Sequence, residues 1–240
     1  MKDAVVIIPT YNEIENIELI IRAVFSESRD IHVLIVDDNS PDGTSEKVKV
    51  LQDIFTGRLH LKERTEKAGL GTAYILGFKW CLVRHYQYIF EMDADFSHNP
   101  KDLIRLYEAC TEEGADLSIG SRYITGVNVV NWPMARVLMS YLASKYVRFI
   151  TGMRISDTTA GFVCYKRHVL ESIDLTKIKF IGYAFQIEMK FKTYLKQFKI
   201  IEVPVIFTDR TRGESKLSKG IISEAVFGVI SMKLKSLFKK

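Results

Sequence analysis

Apolar positions along the first half of the chain recur in two alternating rhythms. AVVII (4–8), closed by Pro9, is a short apolar block that suits a strand covered on both faces, as in a parallel sheet. Between Asn12 and Phe25, Ile14, Ile17, Ile21 and Val24 fall at helical spacing, with Asn12 as a candidate cap. Further strands are predicted at HVLIV (32–36), LHLKE (59–63), YIFEM (88–92) and DLSIGS (116–121). Helices are predicted between them: 42–55, opened by Asp42 or Thr44; 69–83; and 100–114, with Pro100 near its first turn and Gly114 at its end. Strand and helix taking turns in this way predict an α/β fold, a mostly parallel sheet with helices on both faces.

After Gly126 the rhythm changes. WPMARVLMSYLASKYVRFI (132–150) predicts one amphipathic helix carrying Arg136, Lys145 and Arg148. A strand at FVCYK (162–166), a helix over 183–197, a strand at IIEVPVIF (200–207) and a last helix from Leu217 complete the chain. No internal repeat, low-complexity run or Gly/Ser linker marks a clean domain boundary.

Size and charge narrow this picture. The chain has 240 residues, nearly half of them hydrophobic, enough for one large domain with a proper core. Three cysteines, Cys81, Cys110 and Cys164, lie far apart without a CxxC, which points to a reducing compartment and away from zinc or disulfides. No signal peptide is read at the start, and no stretch of about 18 apolar residues offers a spanning helix. A cytosolic protein is expected. The formal charge of +5 is concentrated at the end, where eight Lys and Arg between Arg210 and Lys240 face only Glu214 and Glu224. Such an end suits an anionic partner: phosphate, a lipid surface or nucleic acid. Nucleic acid fits least, because the lysines alternate with an apolar helical face and lack an aromatic platform.

Ligands of open parallel sheets bind at the carboxyl ends of strands. Four predicted strands end in polar clusters: PTYNE (9–13), DDNSPDGT (37–44), DADFSH (93–98) and GSRY (120–123). Asp93 and Asp95, two apart on an extended loop, suit one hard cation such as Mg2+ or Mn2+. A solvated turn with Asn99 capping the next helix, or general acid/base work, would use the same carboxylates. Asp37 or Asp38 would hydrogen-bond a base or ribose if DDNSPDGT is more than a turn. The Gly-rich KAGLGTA (67–73) is not a phosphate-binding Walker sequence, and a plain helix entry accounts for it. FTDRTRGESK (207–216) gathers two arginines and a lysine in a loop suited to phosphate charge.

Taken in order, IIPTYNE, VDDNSPDGT, GLGTA, MDADFSHNP, GSRY, NWPMARVLMS, DTTAGF, YAFQIEM and DRTRGESKLS closely resemble the dolichyl-phosphate mannose synthases, inverting family-2 glycosyltransferases with the GT-A fold. They span residues 5 to about 218. The resemblance implies a GT-A, Rossmann-like domain over 1–216, with a nucleotide-sugar half (1–125) and an acceptor half (126–216), and an amphipathic membrane-interface helix over 217–240. Pro9, Tyr11, Glu13, Val36, Asp38 and Ala94 would line the nucleotide pocket, with Val36 against the base. Asp93 and Asp95 match the metal-binding pair, and Ser97 stands where some members carry a glutamine ligand. Arg122, Arg136 and Ser140 match positions near the acceptor phosphate. Arg210 and Lys216 match the late basic pair that closes over the phosphates, and Gln186 and Glu188 belong to the family's FQxE string near the active site.

The implied reaction moves mannose from GDP-mannose to a polyprenyl (dolichyl) monophosphate with inversion, aided by Mg2+ or Mn2+. An ionised acceptor phosphate needs no strong base, so His98 would be a neighbour of the reaction rather than its base. The alternatives are another donor, such as UDP-glucose, or a non-catalytic nucleotide- or lipid-binding relative. Without a spanning helix, the chain would lie peripherally on the cytoplasmic face of a membrane through residues 132–150 and the tail, or through a separate membrane subunit.

Overall fold

Strand β1 (Ala4–Thr10) is buried almost throughout, as its unbroken apolar run requires. Helix α1 (Ile17–Glu27) starts four residues later than a cap at Asn12 predicts, with Asn16 at the cap position. Asn12 instead adopts a left-handed conformation (φ +55°), and the backbone N–H groups of Asn16 and of Ile17, the first helical residue, donate to Glu13 O. Next come β2 (His32–Asp37), α2 (Thr44–Ile54), β3 (Leu59–Glu63), α3 (Leu70–Leu82), β4 (Tyr88–Glu91), α4 (Asp102–Thr111) and β5 (Leu117–Ser121). The strand and helix predicted for each stretch are all present. Asp42 opens α2 through its side chain, which accepts from Thr44 N at 3.0 Å.

The second half contains β6 (Val129–Val130), α5 (Met134–Thr151), β7 (Val163–Lys166), α6 (Arg167–Ser172), a 3₁₀ turn (Leu175–Lys177), α7 (Ala184–Leu195), β8 (Ile200–Pro204), β9 (Phe207–Thr208) and α8 (Gly220–Leu237). The computed structural model describes residues 1–182, 184–209 and 220–237, with the side chains of 220–226 outside the description. The predicted single strand over 200–207 is two, β8 and β9, which lie in different sheets.

The main sheet has seven strands in the order β3-β2-β1-β4-β7-β5-β8. Only β7 is antiparallel to its neighbours, β4 and β5. Chain order reverses at β1, with β2 on one side and β4 on the other, which is the switch point where such sheets hold ligands. The carboxyl ends of β1, β2, β4 and β5 share one edge, and the loop entering β7 arrives there too, since Val163 pairs with Glu91. Strands from both halves of the chain thus belong to one sheet.

Core residues pack on both faces. Ile7, Leu34, Val36, Ile119 and Tyr165 lie on one side and Val6, Ile8, Ile35, Phe90 and Cys164 on the other. A two-stranded parallel ladder of β6 and β9 ties residues 128–130 to 207–209 and brings that late segment to the same edge. The three cysteines are free and buried. Among the described residues, no helix is long and apolar enough to cross a membrane.

Candidate active site

The turns after β1 and β2 are built into each other. Asp37, wholly buried, accepts from Thr10 Oγ1 (2.8 Å), Ser40 N (2.8 Å) and Ser40 Oγ (2.6 Å). Ser40 Oγ and Thr44 Oγ1 in turn accept from the backbone N–H groups of Asn12 and Glu13, both at 3.0 Å. Asp37 is therefore committed to the scaffold, and its neighbour Asp38 faces Arg64, with Nε donating to Oδ1 at 2.6 Å. Arg64 also donates to Thr72 Oγ1 (2.6 Å), linking this turn to the start of α3. Tyr11 lies with Lys67 Nζ 4.4 Å from its ring centroid. Pro9, Tyr11 and Glu13 are partly exposed along this edge. Val36 differs from them: its side chain is wholly buried in the core, one residue short of the strand end.

The turn after β4 carries the acidic pair. Asp95 is buried and accepts from Ser97 N at 3.0 Å, while Asp93 is partly exposed and Ala94 is buried between them. Phe96 holds φ at +61°, a conformation that costs an ordinary side chain of order 1–3 kcal/mol and that here folds the turn back on itself. His98, fully buried, stacks on Phe162 with ring centroids 4.9 Å apart. Its Nδ1 accepts from Asp93 N at 3.0 Å, and burial pushes the imidazole down to about 4 despite the Asp95 charge. A neutral imidazole therefore holds the Asp93 peptide in place.

This turn fits a hard divalent cation. Its donors are all oxygens, and Ser97 Oγ is buried without a hydrogen-bond partner among the described residues. Among the described residues no group of three His, Cys, Asp or Glu gathers as a metal site; a cation here would take oxygens from the two carboxylates.

Beside the acidic pair stands a cationic corner. Arg122, at the end of β5, is buried and bonded bidentately to Asp157, with Nε and Nη2 at 2.6 and 2.7 Å; Nη2 also reaches Thr159 Oγ1 at 2.9 Å. Burial alone would raise the Asp157 carboxyl, but the Arg122 charge and hydrogen bonds outweigh it and hold it below the usual range. The Asp157 N–H donates to Glu202 Oε1 (2.9 Å), so β8 also braces the loop. Three aromatic rings, Tyr123, Trp132 and Phe207, lie within 5.5 Å of the Arg122 guanidinium. Arg136 stacks on Trp132 at 4.0 Å and pairs with Asp209 (2.8 Å). Ser140 accepts from the Tyr123 hydroxyl at 2.8 Å. Phe207 also touches His98, at 5.4 Å, so one ring joins the acidic turn to the cationic corner.

Beneath the edge lies a buried polar layer. Gln186 Nε2 donates to Glu91, and Lys190 Nζ donates to Ala160 O at 2.6 Å and to Gln186 Oε1 at 3.3 Å. Burial pushes the Glu91 carboxyl up, opposed by the Gln186 hydrogen bond; burial pushes the Lys190 ammonium down, opposed by the Glu91 charge. Gln186 thus supports the strand that carries Asp93, whereas Glu188 turns away and accepts from the backbone N–H of Lys179 (2.8 Å) and Phe180 (3.1 Å).

The structure brings together Pro9, Tyr11, Glu13, Asp38, Asp93, Ala94, Asp95 and Ser97 at one edge, with Arg122, Arg136 and Ser140 alongside. Arg210 and Lys216 lie outside the described residues. Arg64, Asp157 and Lys190 were not anticipated. DTTAGF marked the Asp157 loop, but its partner Arg122 is 35 positions away. The glycines of GLGTA serve packing: a Cβ at Gly71 would meet the Phe185 ring at 2.8 Å and Phe180 O at 2.9 Å.

Comparison with known proteins agrees with this architecture. A model described as glycosyl transferase family 2 matches residues 5–174. The chain is 48% identical over 224 residues to a polyprenol monophosphomannose synthase of Mycolicibacterium smegmatis, covering 93% of this chain and 84% of the relative. It is 45% identical over 225 residues to an undecaprenyl-phosphate mannosyltransferase of Micrococcus luteus, covering 93% and 90%. Among solved structures, glucosyl-3-phosphoglycerate synthase of Mycobacterium tuberculosis, in complex with Mn2+, UDP and glucosyl-3-phosphoglycerate, superposes with a TM-score of 0.69 at 16% identity, over 96% of this chain and 79% of that one. A mannosyltransferase of Pyrobaculum calidifontis in complex with GDP-Man and Mn2+ superposes with a TM-score of 0.59 at 20% identity, over 89% of this chain and 58% of that one. At such identities these two structures speak to the fold, which is GT-A-like. With the family's signature over most of its length and relatives close to half identical along nearly all of it, the chain belongs to glycosyltransferase family 2.

Proposed function

We propose that this protein transfers mannose from GDP-mannose to the phosphate of a polyprenyl monophosphate, with Mg2+ or Mn2+ and with inversion at the anomeric carbon. The observation that supports it most is the meeting of Glu13, Asp38 and the Asp93–Asp95 pair at one sheet edge, with the Arg122–Arg136 corner joined to them through Phe207. Two relatives close to half identical carry polyprenyl-phosphate mannosyl transfer in their names. Two neighbours in fold hold Mn2+, one of them with GDP-Man.

In this reading residues 1–125 hold the donor and 126–216 the acceptor. Pro9, Tyr11, Glu13, Asp38 and Ala94 bound the nucleotide, with Val36 in the core behind them, and Asp93 and Asp95 hold the cation, with Ser97 Oγ or water completing its shell. The cation, when bound, stabilises charge on the departing diphosphate. Arg122, Arg136 and Ser140 hold the acceptor phosphate, while Arg210 and Lys216 neutralise the donor phosphates. A phosphate monoester has its second pKa at about 6, so its oxygen is already ionised and needs no general base. That oxygen forms a bond to the anomeric carbon as the bond to the diphosphate breaks, and the electron pair leaves with GDP. Attack opposite the leaving group gives a β-linked product. His98, neutral and hydrogen-bonded, positions Asp93 and takes no proton.

Peripheral contact with a membrane, on its cytoplasmic face, belongs to the same proposal. Helices α5 and α8 pack together and expose Met134, Leu138, Leu142 and Phe149 from one and Phe227, Leu234 and Leu237 from the other. Residues 217–240 are proposed to lie at that interface.

Asp95→Asn tests the role of the acidic pair. Turnover is expected to fall on the order of a hundredfold or more, Mn2+ binding followed by electron paramagnetic resonance to weaken, and the circular dichroism spectrum to stay unchanged. Near-normal rates would place the cation elsewhere.

A further inference from the structure

Away from that edge, a cavity of about 640 Å3 opens between α7, the 3₁₀ turn with the residues following it, and α8. That volume lies in the range of small-molecule sites, about 300–1,000 Å3. Phe180, Phe191 and Met232 give it apolar walls. Phe180 sits so close under α8 that a Cβ at Gly228 would come within 2.6 Å of its ring. Lys177, Lys179, Lys192 and Lys235 supply charge at the walls.

Two of these four lysines are neutralised. Lys177 Nζ lies 2.7 Å from Asp174 Oδ2, and Lys192 Nζ lies 3.4 Å from Glu188 Oε1. Glu188 has its other oxygen occupied by the backbone N–H groups of Lys179 and Phe180. Lys179 and Lys235 have no carboxylate partner among the described residues. Their ammonium groups are close enough that Lys179 pushes Lys235 below its ordinary value, a penalty that an anion between them would remove. Glu188 offsets this only at longer range; apolar walls under two cations with no carboxylate at bonding distance call for a ligand with both an anion and a hydrocarbon part. Leu195, in the cavity wall, and Ile181, Leu234 and Leu237 nearby are exposed.

We propose that this cavity binds an anionic membrane phospholipid, its phosphate between Lys179 and Lys235 and the start of an acyl chain over Phe180, Phe191 and Met232. None of Asp93, Asp95, Arg122, Arg136 or Ser140 lines it, so the site is separate from the reacting edge. A bound lipid would fix α7 and α8 against the bilayer. The inference rests on the membrane reading above and is independent of sugar transfer.

Calorimetric titration of the full chain with dihexanoyl-phosphatidylglycerol, kept below its micelle concentration, tests it directly. Dihexanoyl-phosphatidylcholine and inorganic phosphate serve as comparisons. The phosphatidylglycerol is expected to bind and to outcompete both. Lys179→Ala combined with Lys235→Ala should weaken binding at least tenfold. Ser231→Trp, which fills the cavity and keeps every charge, should do the same. Lys62→Ala with Lys101→Ala, two exposed lysines that do not line the cavity, should leave it unchanged. No binding, equal binding of inorganic phosphate, or equal loss in the remote pair would overturn the proposal. If the titration fails while the full chain still floats on phosphatidylglycerol vesicles, the site falls and the membrane reading stands.

Discussion

Arg122 and Asp157 show what single residues contribute here. A bidentate pair of which both members are buried is costly to break, because the surviving guanidinium keeps its desolvation penalty without its partner. Asp157→Asn is therefore expected to lower stability by about 3–5 kcal/mol in chemical denaturation. In the proposed reaction it should also raise the KM for polyprenyl phosphate more than that for the donor, since Asp157 aims the arginine at the acceptor. A loss of about 1 kcal/mol or less, the worth of an exposed pair, would contradict the buried-pair account. At this scale the sequence was legible where a charge broke an apolar run, as Asp93 and Asp95 do after YIFEM. It was silent where a charge is satisfied by a distant partner. Asp157, Arg64 and Lys190 each look like ordinary polar residues until the fold brings Arg122, Asp38 and the Ala160 carbonyl to them.

The elements carry a second titratable cluster, remote from the acidic edge. His32 at the start of β2, His60 in β3 and Tyr86 before β4 meet, with Tyr86 Oη 2.8 Å and His60 Nε2 3.3 Å from His32 Nδ1. Burial lowers both imidazoles, His60 to about 4 with the His32 and Arg84 charges adding to the effect. A depressed pKa means that the unfolded chain takes up the proton first. The contribution to stability is thus whole above about 6.5 and is lost as pH falls through about 4. Thermal midpoints measured between these values should fall, and fall less in His60→Phe; parallel curves for the two proteins would contradict this. Long periodic elements were legible in the sequence, since α5 and β1 need only their own residues. Strands as short as β6 and β9 were not, because two residues have no period and form only where 207–208 happens to pass 129–130.

Over the whole molecule, direction was the hidden variable. An apolar run such as FVCYK signals a strand but not which way it points, and β7 enters the sheet reversed between β4 and β5. That reversal carries the Asp157 loop to the acidic edge and unites the two halves of the chain in one sheet. The C-terminal helix is present, packed on α5 and α7, while the basic residues before it, Arg210 to Lys219, lie outside the described residues. In vesicle flotation the full chain should rise with anionic liposomes, and a chain ending at Lys216 should rise far less. Equal flotation would remove the tail from the membrane account.

Purified protein incubated with Mg2+ or Mn2+, a polyprenyl monophosphate and either labelled GDP-mannose or labelled UDP-glucose should convert only the first into a solvent-extractable lipid. The product should be a polyprenyl-phosphate mannose, and the label should stay in the aqueous phase when the cation is chelated. No labelled lipid from either donor would contradict the account.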